Sequence, residues 1–100
     1  MIDWTQIEGF DWDVGNARKS ASKHDVSQTE AEQAFFNEPL LVLEDRKHSQ
    51  EELRLHALGR TDDDRRLHIT FTLRDGGTLL RVISARDMSK TERKAYAQTP

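Results

Sequence analysis

Apolar and polar positions alternate most regularly between Leu67 and Arg74, where Leu67, Ile69, Phe71 and Leu73 are separated by His68, Thr70, Thr72 and Arg74. Successive strand side chains point to opposite faces, so this stretch predicts a strand with one buried face. Asp75-Gly76-Gly77 predicts a hairpin turn, because glycine accepts positive φ. The return strand is Leu79–Arg86. Strict alternation puts Leu79, Arg81, Ile83 and Ala85 on one of its faces and Leu80, Val82, Ser84 and Arg86 on the other. A guanidinium among apolar neighbours needs a partner. Arg81 is therefore expected either to pair with a carboxylate on the next strand or to bind an anion.

The rest of the chain follows the same two periods. Residues 7–12 alternate and predict a short edge strand. Asp13 as N-cap, with Val14, Ala17 and Ala21 at near-helical spacing, predicts a helix over about 14–23. Ser27-Gln28-Thr29-Glu30 is a capping box and opens a second helix to about Phe36, with Ala31, Ala34 and Phe35 inward. Pro39 closes it. Leu40–Leu43 and Leu53–Gly59 read as strands on either side of a polar loop. Ser89-Lys90-Thr91-Glu92 is a second capping box and starts a third helix near Lys90. That helix has Ala95 and Tyr96 as apolar contacts, a solvated Tyr96 hydroxyl, and Lys90, Arg93 and Lys94 on its basic side. The predicted fold is α+β in one domain over 1–100: an antiparallel sheet of about five strands, covered on one face, with two N-terminal helices and one C-terminal helix.

Charge adds an asymmetry. The net charge is −3. Residues 1–45 carry ten acids against three bases, whereas 46–100 carry twelve bases against eight acids. A chain polarised in this way can present a basic face despite its acidic total. No cysteine is present, which excludes disulfides and thiolate metal sites and fits a cytoplasmic protein. No apolar run approaches the ~18 residues of a membrane span, and the N-terminus has no signal-peptide pattern.

Candidate chemistry collects on the non-core strand positions Arg54, His56, His68, Thr70, Thr72 and Arg86. Arginine forks and hydroxyls suit a phosphodiester, although an open antiparallel sheet also has a polar face for no other reason than solvation. His48, in the polar loop near Glu51, Glu52 and Arg54, is a candidate acid or base. The histidines at 24, 48, 56 and 68 show no metal-ligand spacing, and no cofactor motif is present.

Several segments in order resemble one family. They are Phe10-Asp11-Trp12-Asp13, Lys23-His24 before Val26-Ser27, His48-Ser49 with Glu52 and Arg54 downstream, and Ile83-Ser84-Ala85-Arg86. The sequence is similar to the BrnT ribonuclease toxins of type II toxin–antitoxin systems from Phe10 to Tyr96. Asp25 stands where that family usually has Gly, and Gln28 where it often has Phe. The resemblance implies a RelE-like α+β fold and metal-independent RNA cleavage. Its implied catalytic set is His24 or His48 for acid–base work, Glu52, and Arg54 and Arg86 on the phosphate. Arg81, Lys23 and Lys90 are further RNA-binding candidates, although alternation sets Arg81 on the opposite face from Arg86. A BrnA-like antitoxin with a ribbon-helix-helix region is the implied partner, giving indirect contact with operator DNA and none with a membrane. A non-catalytic module that co-represses with a DNA-binding partner is the main alternative, and a metal-dependent hydrolase the weaker one.

Overall fold

The computed structural model describes residues 2–13, 15, 24–48 and 52–100, with only the backbone of His48. A 3-10 turn (Trp4–Gln6) precedes β1 (Gly9–Phe10), α1 (Gln28–Phe36) and β2 (Leu41–Glu44). A second 3-10 turn (Arg46–His48) leads to β3 (Leu55–Arg60), β4 (Arg66–Arg74), β5 (Leu79–Asp87) and α2 (Lys90–Ala97). The helix expected over 14–23 lies outside the described residues except for Gly15, so the described α-helices number two.

Both helices start where their sequences say. Ser27 Oγ accepts from the Glu30 amide at 3.1 Å, and the Glu30 carboxylate accepts from the Ser27 amide at 3.0 Å. Ser89 and Glu92 repeat the arrangement at 3.2 and 2.8 Å. Each box satisfies two amides that the helix itself leaves unpaired. Just before α1, Asp25 has φ 54°. That left-handed conformation costs a glycine nothing and is tolerated by Asp better than by most residues. The turn between β4 and β5 is a 3-10 turn at Asp75–Gly77 in which Asp75, Gly76 and Gly77 all have positive φ.

The strands lie in the order β1-β5-β4-β3-β2. The run β2 to β5 is an antiparallel meander, but β1 pairs parallel with β5. The sheet is thus mixed, which corrects the expected all-antiparallel one. β1 reaches β5 by a long crossover rather than a hairpin, so no turn fixes it as antiparallel.

Coverage also differs from expectation. On one face, Val26, Ala31 and Ala34 pack on Leu55, Ala57, Leu67, Ile69, Phe71, Leu80, Val82 and Ala85. Each fully buried Val, Leu or Ile there contributes about 1.5–3 kcal/mol of transfer free energy. Gly59 is the close-approach point, since a Cβ there would lie 2.7 Å from the Ala34 carbonyl oxygen. On the other face, Tyr96 and Met88 pack on Leu58 and Leu41. The two helices therefore sit on opposite faces. On α2 it is Tyr96 that is buried, while Ala95 is exposed. The Tyr96 hydroxyl donates to the Pro39 carbonyl at 2.6 Å instead of to solvent.

One irregularity decides what the α2 face carries. Thr70 pairs with Ser84 but Phe71 with Val82, so Ile83 is an extra residue in β5. Such a bulge shifts the alternation by one. Leu80 and Val82 point to the α1 face before it, and Ala85 does so after it. Arg81, opposite Thr72, and Arg86, opposite His68, consequently share the α2 face. The separation of these two arginines expected from strict alternation is overturned by the bulge.

Candidate functional site

The α2 face holds a compact polar cluster built from four elements. His56 on β3 and His68 on β4 are diagonal neighbours in the ladder, with ring centroids 4.9 Å apart. His56 Nε2 lies 2.8 Å from Asp45 Oδ2, and His56 Nδ1 lies 3.0 Å from Thr70 Oγ1. A carboxylate only accepts, so in the neutral ring Nε2–H donates to Asp45 and Nδ1 accepts from the Thr70 hydroxyl. The Asp45 amide donates to the Arg54 carbonyl at 2.8 Å, which holds the acid beside the start of β3.

Arg86 forms the other half. Its Nη1 and Nη2 donate to the two Glu92 oxygens at 2.8 and 3.0 Å, and Nη1 also donates to the Asp87 carbonyl at 3.0 Å. The bidentate guanidinium and the Ser89 amide together hold the Glu92 carboxyl down at about 2. Glu92 is thus both the helix cap and the group that aims Arg86. His68 lies between the halves, with Nε2 3.8 Å from Glu92 Oε2. Burial, reinforced by the nearby Arg86 charge, lowers the His68 pKa. The ring is neutral at pH 7, so its approach to Glu92 is not an ion pair at that pH. Its Nδ1 is buried without a hydrogen-bond partner among the described residues. That nitrogen is best left bare, with the proton on Nε2 toward Glu92.

The residues expected from sequence disperse around this centre. Arg86 is in it, and half-buried Arg54 stands two residues before His56. Glu52 pairs instead with Arg74 at 3.2 Å. The His24 carbonyl accepts from Arg65, which also binds Asp87. Asp87 is paired with core-facing Leu67, so that network belongs to the α1 side. Arg81 donates to Asp11 at 3.2 Å and to Asp13 at 2.7 Å, the carboxylate partners that one of its two expected roles required. Lys90 is exposed at the start of α2. Lys23 and the His48 side chain lie outside the described residues. Asp45 and Glu92 are the members that the sequence pattern does not disclose: one falls in a polar loop and the other has the signature of a cap. Among the described residues no group of three or more His, Cys, Asp or Glu side chains is placed to hold a metal ion.

A comparison with protein families now bears on this cluster. The family described as "Ribonuclease toxin, BrnT, of type II toxin-antitoxin system" matches residues 12–92. The chain belongs to the BrnT family. The match spans Asp45, His56, His68, Thr70, Arg86 and Glu92, and leaves out Trp4, Phe10 and Tyr96. Membership of a type II ribonuclease-toxin family brings RNA as the substrate and an antitoxin as the partner. No curated protein matches the chain. Among the described residues of this BrnT-family chain, no helix is long and apolar enough to cross a membrane.

Proposed function

We propose that the chain cleaves RNA without a metal on the α2 face of its sheet, with His56 as the acid–base group and Arg86 as the phosphate-binding cation. The observation that carries this reading is the Asp45–His56–Thr70 chain beside the Arg86–Glu92 pair. It puts an oriented imidazole and an aimed guanidinium on one surface. Arg86 is 38% exposed and has five N–H donors, of which its described bonds use three. A phosphate oxygen can take the others.

The chemistry follows from these positions. A ribose 2′-hydroxyl that replaces the Thr70 hydroxyl at His56 Nδ1 gives up its proton there. The 2′ oxygen attacks phosphorus, and the bond from phosphorus to the 5′ oxygen breaks. The imidazolium, held through Nε2–H by Asp45, returns its proton to the departing 5′ oxygen. Arg86, with Arg54 as a second cation, stabilises the dianionic phosphorane, the kind of contribution that usually outweighs acid–base catalysis. The products are a 2′,3′-cyclic phosphate and a free 5′-hydroxyl. His24, His48 and Glu52 have no step in this scheme.

The test is cleavage of RNA by the purified chain with EDTA present. His56→Gln and Arg86→Gln should each lower the rate on the order of 100-fold or more while circular dichroism stays native. Full activity in His56→Gln would sink the assignment. Loss of wild-type activity on chelation would transfer the reading to a metal-dependent hydrolase. No cleavage under any condition would favour the non-catalytic co-repressor. The resemblance supports a BrnA-like antitoxin that carries a ribbon-helix-helix region to operator DNA, and a cytoplasmic site of action, where the RNA is.

A further inference from the structure

On the α1 side, away from the polar cluster, the molecule has an open apolar trough. Its first part is a groove of about 710 Å³ whose walls are Trp4, Phe10, Phe35, Phe36 and Leu40. A second depression of about 530 Å³ shares Trp4 and Leu40 and continues it to Val42. The aromatic walls brace one another: Phe35 meets Phe71 edge-on at 5.1 Å, and Phe10 meets Phe36 edge-on at 6.1 Å. Phe36 nevertheless stays 77% exposed and Trp4 42%. A large aromatic side chain left that open on a braced wall is the composition of an interface centre.

Charge selects the occupant. Among the described residues, Glu8, Glu38 and Glu44 line the trough, and no Lys or Arg does. Three carboxylates repel a phosphodiester, so stacking of RNA bases on Trp4 and Phe36 is disfavoured. They attract a polypeptide that brings apolar side chains flanked by lysine or arginine. We infer that the trough is the docking site for a basic, amphipathic segment of the antitoxin, seated through Phe36 and Trp4 on the face of the sheet opposite His56 and Arg86. The inference rests on family membership, not on the catalytic reading. The basic side of α2, with Arg93 and Lys94, is the rival surface.

The experiment measures affinity between the full chain and its purified cognate antitoxin by calorimetry, with RNA cleavage followed on the same samples. Phe36→Ser should weaken binding about 30-fold, the loss expected from a central aromatic anchor. The double reversal Glu8→Lys/Glu38→Lys should weaken it about tenfold or more. Both residues are exposed, so this variant keeps its fold and decides the matter if Phe36→Ser does not fold. Arg93→Ser/Lys94→Ser should stay within about threefold of the parent. In cleavage assays the trough variants should still cut RNA and resist neutralisation. Parental affinity in the charge reversal overturns the inference, and so does a large loss confined to the α2 variant. A free chain that is dimeric and becomes monomeric with Phe36→Ser would assign the trough to a second copy instead. Weaker RNA binding by Phe36→Ser with unchanged antitoxin affinity would assign it to the substrate. If the parent cuts no RNA, the catalytic reading fails while the antitoxin affinities still decide this one.

Discussion

Arg65→Met is the perturbation with the most structure behind it. Arg65 Nε and Nη2 donate to the two Asp87 oxygens at 2.8 and 3.1 Å, and Nη1 donates to Glu30 Oε2 at 3.1 Å. Nη1 and Nη2 also donate to the carbonyls of Asp25 at 2.7 Å and His24 at 3.3 Å. One guanidinium thus ties the end of β5 to the first turn of α1 and to the positive-φ turn before it. Methionine keeps the aliphatic stem and removes every donor. Hydrogen bonds to charged groups contribute about 1.5–3 kcal/mol each when buried. Here the Arg65 side chain is 26% exposed and those of Glu30 and Asp87 33% and 49%, so water reclaims the carboxylates and much of that is screened. The two carbonyls lose a partner as well. About 2 kcal/mol in total is the expected loss. For a domain of this size that lowers the melting temperature by roughly 8–16 °C.

The pH dependence gives an independent check on the same variant. The Arg65 guanidinium lowers the Asp87 pKa, while the Ser27 amide first and Arg65 after it lower that of Glu30. A carboxyl whose folded pKa is depressed contributes stability that is complete above its unfolded value, here near 4, and is lost as pH falls through the folded value. Arg65 itself has a raised pKa, so its own contribution is intact throughout acid and neutral pH. The gap between parent and Arg65→Met should therefore be full at pH 7 and narrow below about pH 4. Thermal melts followed by circular dichroism at pH 7, 4 and 2.5 measure it. Equal melting temperatures at pH 7, or an undiminished gap at pH 2.5, would refute the staple.

Three other changes follow from single contacts. Gly59→Ala forces a Cβ against the Ala34 carbonyl and should destabilise by about 1–3 kcal/mol, as overpacking does, with a melting temperature that falls accordingly; a neutral effect would contradict the close packing of α1 on β3. Tyr96→Phe removes the donor to the Pro39 carbonyl and should cost about 1–2 kcal/mol in urea unfolding with an unchanged slope. His68 should titrate below its usual value near 6.5 in NMR, so acidification through that range should weaken the fold by protonating the unfolded chain first; titration at or above the usual value would mean the ring is not desolvated.

The residues that declared their structure in sequence are those with local causes. Both capping boxes, the β4 alternation and the Asp75-Gly76-Gly77 turn depend on neighbours within four positions. The parallel pairing of β1, the second helix-covered face and the Tyr96–Pro39 bond are contacts between distant segments, and no period encodes them. The candidate site divides in the same way. His56, His68 and Thr70 share one face by alternation alone, whereas alternation groups Arg86 with core-facing Leu80 and Val82, and only the bulge at Ile83 carries it to the face of His68. Asp45 and Glu92 are not assignable by alternation, because the first depends on how the chain leaves β2 and the second doubles as a cap. The expectation from sequence that His56 and His68 are neighbours across adjacent strands of the outer face is met by the β3–β4 register: with Arg60 opposite Arg66, the two fall diagonally adjacent.

The extra residue at Ile83 has a genetic meaning. Strand β5 is one residue longer than its pairing with β4 requires, and that surplus is absorbed at a single position. Loss of the Ile83 codon would leave Leu80, Val82 and Ala85 on their side and Arg81 and Arg86 on theirs, at the expense of the local twist that a bulge adds. Gain of a codon in the same strand has no such outlet, because a second surplus would turn one of the arginines toward α1. At this site a lost residue is therefore the length change the strand absorbs, and a gained one is the change it does not. Length variants among related chains should cluster at this position, as losses and not gains.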